Sequence, residues 1–191
     1  SDVDNSAFIN FDFQTVKYNS VGTLQWVIRT GNIFQQDDIP NAIAVDAIGN
    51  IFVTGKSDKD PIPIHIDNDF MTVMYNSSGV TQWGGVPKYY EGKSPFDDDV
   101  ASSVISDGLG NVYVAGGAVD TVTQKNATVI KYDVATGNVV WVKNNNGEGD
   151  FRESVSSIVI DANDNSYVAG YTFAENNNLN AIIVKINSVG D

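Results

Sequence analysis

Cysteine is absent from the chain and histidine occurs once. The first absence excludes disulfides, thiolate metal sites and a cysteine nucleophile, and leaves the redox compartment open. The lone His65 sits in a Pro-Ile-Pro-Ile-His-Ile-Asp stretch, without the second histidine that a zinc site of the His-pair type needs. Basic residues are also scarce, 11 Lys and Arg against 24 Asp and Glu, for a net charge of -13. Phosphate backbones and anionic lipid repel such a surface, so neither nucleic acid nor membrane insertion is expected. No apolar run approaches the roughly 18 residues of a membrane-spanning helix, and Ser1 opens no signal-peptide pattern. If the protein is exported, this is its mature form or an excerpt. Helical periodicity is missing too.

What the chain does contain is a repeat. The strand TVKYN at 15–19 returns as TVMYN at 72–76, VIKYD at 129–133 and IVKIN at 183–187. A turn comes after each copy and ends in Gly22, Gly79, Gly137 and Gly190, and four residues after the first three glycines stand Trp26, Trp83 and Trp141, the only tryptophans. The second half of the unit repeats from Asp46 to Gly55, from Asp107 to Gly116 and from Asp161 to Gly170. Apolar residues alternate at Val16 and Tyr18, Leu24 and Trp26, Ile43 and Val45, and Ile51 and Val53, the period of two expected of half-buried strands. Each Asp-x-x-Gly-Asn reads as a tight hairpin in which the carboxylate accepts turn amides and the glycine supplies a positive φ. In the third copy Asp164 takes the place of that glycine, and Asp tolerates the left-handed region better than most residues. A repeated period of this size is the mark of a solenoid, propeller or array.

The string Asp12 to Ser57, with VKYNSVGTLQW, AVDAIGN and FVTG, resembles the bacterial β-propeller repeat called SBBP, found in secreted and cell-surface proteins. The resemblance runs from about residue 11 to 190. It implies that the IAVD-type strand is innermost in a blade, FVTG second, TVKYN third and the Trp strand outermost. The expected fold is all-β: propeller blades of four-stranded antiparallel sheets in a partial ring of about three and a quarter blades. One domain covers 1–191, with repeat units at about 11–57, 68–118 and 126–172 and a fragment at 180–191. The chain starts on the last two strands of one blade, runs through full blades at about 41–86 and 101–143, and stops after the third strand of the next. The tryptophans are expected to pack against the neighbouring blade.

Short turns then fall on one face and long variable connections on the other, and the latter hold more than half of the 24 acidic side chains. Asp38, Asp99 and Glu153 each lie eight positions before the hairpin Asp of their repeat. One role for such a carboxylate is to cap backbone amides where the chain reaches the inner strand. The other is calcium, which takes six to eight oxygen ligands, with Asp97, Asp98 and Asp99 as the candidates; no other cofactor is expected. Tyr89, Tyr90 and Phe96, read as part of the longest acidic loop, form a candidate surface for a carbohydrate or protein ligand. The sequons at Asn76 and Asn126 matter only in a glycosylating host.

No catalytic constellation emerges, so the expected function is a non-enzymatic extracellular or cell-surface scaffold with a structural, adhesive or ligand-binding role. The alternative is a polysaccharide-acting lyase or hydrolase whose site lies on the acidic face. Propellers close with about four to eight blades, so three and a quarter leave blade faces and a strand edge exposed. Completion is expected from the remainder of a larger polypeptide or from other copies, as a homo-oligomer or filament, with Phe8, Ile9 and Phe11 as the apolar donor segment of a strand exchange.

Overall fold

The computed structural model describes residues 11–31, 36–58, 67–93, 98–121, 124–145, 152–173 and 178–191. It is all-β, with four antiparallel sheets. The first pairs β1 (Phe13–Tyr18) with β2 (Leu24–Thr30). The second runs in order through β3 (Asp38–Val45), β4 (Ile51–Asp58), β5 (Asn68–Tyr75) and β6 (Lys88–Tyr90). The third holds β7 (Val100–Ser106), β8 (Asn111–Thr121), β9 (Gln124–Asp133) and β10 (Val139–Asn145). The fourth holds β11 (Glu153–Ile160), β12 (Ser166–Phe173) and β13 (Leu179–Ile186). Two full blades thus stand between a pair and a triplet of strands, each strand neighbouring its sequence neighbour.

The hairpins repeat atom for atom. The Oδ1 atoms of Asp46, Asp107 and Asp161 each accept the backbone amides two and four residues on, at 2.7–3.0 Å. Their Oδ2 atoms accept the side-chain amides of Asn50, Asn111 and Asn165. Gly49 and Gly110 take the positive φ expected, and Asp164 matches them at φ 61°. Asn19, Asn76 and Asn187 do the same for the turns after the third strands. A side-chain oxygen in place of a missing backbone partner is what lets the chain reverse so tightly.

The hydrophobic core lies between sheets, in three layers. Phe13, Ile51, Val53, Met71, Val73 and Tyr75 fill the first; Phe52, Phe70, Met74, Trp83, Val114 and Ile130 are among those in the second; Tyr113, Val129, Val155, Ile158, Val168 and Ile186 are among those in the third. Alternate residues of one strand therefore serve opposite joints, which is why all eight residues of β5 are buried. The inner strands carry a bulge at Asn41, Ser102 and Ser156. Asn41 Nδ2 donates to the carbonyl of Ala101 at 2.9 Å, and Ser102 Oγ to that of Val155, each on the next inner strand.

One element departs from the repeat. Sequence reading places the outer strand of the first full blade at Trp83, but that residue turns left-handed at φ 56°, with Gly84 and Gly85 also at positive φ. The strand resumes at Lys88, which pairs with Thr72. In the flanking blades the residue two after the tryptophan holds this register, Ile28 opposite Thr15 and Lys143 opposite Val129. Three extra residues are thus looped out at two consecutive glycines, and Tyr89 and Tyr90 belong to β6 and not to a loop.

Candidate functional site at the joints between blades

Each tryptophan bridges to the next blade by the same contact. Trp26 Nε1 donates to the carbonyl of Ser77 at 3.4 Å, Trp83 Nε1 to that of Val134 at 2.8 Å and Trp141 Nε1 to that of Ser188 at 3.3 Å. These acceptors hold one repeat position, the residue after Asn76, Asp133 or Asn187. The turn glycine lies under the indole: a Cβ on Gly79, Gly137 or Gly190 would stand 3.0, 2.6 or 3.2 Å from ring atoms of Trp26, Trp83 or Trp141. In the first two joints the tyrosine closing the third strand supplies a ring, and in the third Ile186 takes its place. Trp26 meets Tyr75 at 6.2 Å between centroids and Trp83 meets Tyr132 at 6.1 Å. Burial, then the neighbouring Tyr90, raises the Tyr132 hydroxyl far above the ordinary phenol range.

A second contact closes the opposite end of the first two joints. Asp38 N donates to the carbonyl of Phe11 and Asp99 N to that of Asn68, joining the third strand of one blade to the inner strand of the next. The buried Asp99 carboxylate accepts Gly92 N at 2.6 Å and Val119 N at 2.8 Å. Buried Glu153 accepts Ala127 N at 3.0 Å. A carboxylate removed from water is costly unless hydrogen-bonded, and these amides provide the bonds. The in-register acids at 99 and 153 therefore cap backbone amides.

The family model of SBBP, the beta-propeller repeat, matches residues 25–63. This stretch carries the SBBP β-propeller repeat. No curated protein matches the sequence. The matched segment contains Trp26, the donor of one joint contact, and the first two strands of a blade, β3 and β4.

Of the calcium candidates, Asp97 lies outside the described residues. Asp98 stands between Lys56 Nζ and Lys125 Nζ, each 3.5 Å from one of its oxygens, and accepts Asn68 Nδ2 at 2.7 Å. Burial alone would raise its carboxyl, but Lys125, Lys56 and Asn68 together outweigh that and hold it below the usual carboxylate range. Among the described residues no three His, Asp or Glu side chains gather closely enough to hold a metal ion.

Tyr89 and Tyr90 point to opposite sides of β6. Tyr89 packs on the first core layer, and burial, then Asp38, raise its hydroxyl against the lowering effect of a bond to Ser57. Tyr90 packs on the second layer, 5.7 Å from the Phe70 ring. Phe96, Phe8, Ile9 and His65 lie outside the described residues; the side chain of Phe11 is exposed. The Asn126 side chain is buried, with no hydrogen-bond partner for its amide among the described residues, and Asn76 Oδ1 holds two turn amides. Sequence reasoning missed Lys56 and Lys125, which carry no repeat signal, and the carbonyl acceptors, which as backbone atoms have none.

Proposed function

We propose that this SBBP chain is a non-enzymatic, extracellular or cell-surface propeller scaffold with a structural, adhesive or ligand-binding role, joined to further blades by the same contacts that join its own. The observation that carries this reading is the threefold recurrence of one joint: an indole seated on a turn glycine, with its N–H on a carbonyl of the next blade. The acidic residues that a catalytic or calcium-dependent site would call on are engaged otherwise, Asp99 and Glu153 with amides and Asp98 with two lysines. The secreted or surface setting rests on the family resemblance and fits the net charge of -13.

Incubation with a panel of polysaccharides, with reducing ends followed in calcium and in chelator, tests the scaffold against the enzyme. No turnover is expected, and the melting temperature should be the same in both buffers. Turnover that is lost in Asp98→Ala would replace the scaffold by the enzyme.

A further inference from the structure

Three joints in this chain are filled, and the parts of a fourth are present without their tryptophan. In register with Tyr75 and Tyr132 stands Tyr18; in register with Ser77 and Val134 stands Ser20; in register with Gly79 and Gly137 stands Gly22. The Asn19–Gly22 turn already has the conformation of its counterparts. Asn19 Oδ1 accepts Val21 N and Thr23 N, Gly22 N donates to Asn19 O, and Gly22 sits at φ 80°. Yet among the described residues nothing lies within 4 Å of a Cβ built on Gly22. Tyr18 is 60% exposed where Tyr75 is 0% and Tyr132 1%. Val16 and Leu24 extend the same apolar face.

We propose that Tyr18, the Ser20 carbonyl and Gly22 form a receptor for one tryptophan side chain, carried on the outer strand of another SBBP-type blade. The proposal rests on the scaffold reading above and names what the scaffold binds. The chemistry is that of the first two filled joints: a flat ring over a glycine lacking a Cβ, an aromatic neighbour, and a carbonyl that accepts the indole N–H. The source of the indole narrows the occupant further. Trp26, Trp83 and Trp141 are the chain's only tryptophans, and each is already bonded to its own next blade. A second copy of residues 11–191 would have to break one of its own joints to donate one. The occupant is therefore a blade outside this set.

A peptide of residues 138–145, Asn-Val-Val-Trp-Val-Lys-Asn-Asn, synthesised with 5-fluorotryptophan, reports binding to the whole chain by ¹⁹F NMR without interference from the chain's own tryptophans. A saturating shift is expected at or below about 1 mM peptide. Replacing the peptide's tryptophan with fluorophenylalanine removes the N–H donor and should weaken binding about fivefold. Tyr18→Ala should weaken it about tenfold with the circular dichroism spectrum unchanged. The peptide comparison leaves the protein untouched, so it decides the matter even if Tyr18→Ala misfolds. An unshifted resonance with folded protein overturns the proposal, as does a shift indifferent to both changes. Self-association seen by light scattering and abolished by Tyr18→Ala would make the occupant a second copy and would also overturn it. None of these outcomes depends on turnover or calcium, on which the scaffold reading is tested separately.

Discussion

The buried carboxylate of Asp99 shows how a single residue can be read two ways until its partners are known. With Gly92 N and Val119 N both directed at it, Asp99→Ala would strand one buried and one part-buried donor, a loss of about 2–4 kcal/mol measurable by urea unfolding; Asp99→Asn, which keeps an acceptor, should lose less. Chelator should not reproduce either loss. Asp161 gives a pH-dependent counterpart. The Asn165 side chain first, then the amides of Asn165 and Asn163 and the Tyr167 hydroxyl, lower its carboxyl from 3.8 to about 2 despite some desolvation. Because the folded value lies below the unfolded one, the stabilisation is complete above pH 3.8 and is lost as pH falls to about 2. Unfolding midpoints should drop through that window, and Asp161→Asn should flatten the drop.

At the scale of the element, the joint separates backbone strain from packing. Gly22 and Gly137 both take a positive φ, but a Cβ on Gly22 meets open space while one on Gly137 would press on Trp83 at 2.6 Å. Gly22→Ala should thus cost about 1–2 kcal/mol for the left-handed backbone alone. Gly137→Ala should cost a further 1–3 kcal/mol or so from overpacking, and paired denaturation curves give the difference. The tryptophans differ in the same way. Trp83 is buried with an N–H···O distance of 2.8 Å, whereas Trp26 is half-buried with 3.4 Å. Trp83→Phe should lose about 1 kcal/mol with its hydrogen bond and Trp83→Ala about 3–5 kcal/mol; Trp26→Phe should lose less than Trp83→Phe. The position of β6 was not legible in this repeat. The fixed Gly-to-Trp spacing points to a regular strand, but two glycines after Trp83 let the chain detour, and spacing up to the tryptophan carries no information about the residues beyond it.

For the whole molecule, stability is concentrated where both faces of a sheet are covered. β4, β5, β8 and β9 lie between neighbours, with β5 buried throughout, whereas β2 and β13 are largely exposed. The contrast holds at one repeat position: Val129 in β9 is 0% exposed and Ile183 in β13 is 80% exposed. Amide exchange should be slowest in the two four-stranded sheets and fastest in β1, β2 and β13. Equal protection in all four sheets would mean that the outer faces are covered in solution.

The sequence by itself determined the strands other than β6, the turns and their order, because these depend on contacts within a few residues: an alternation of two for the strands, and a side-chain oxygen two to four positions from the amides it accepts. It also marked the tryptophans as inter-blade residues, since one repeat position held all three. Tertiary structure alone decided what those positions meet. The indole of Trp83 finds a carbonyl at residue 134, and Asp98 finds Lys56 and Lys125, partners brought close by the stacking of sheets. Backbone acceptors have no side-chain identity, and long flexible lysines have no fixed reach along the chain, so neither leaves a periodic trace. The same stacking decided that Tyr18, identical in type and register to Tyr75, stands open to solvent.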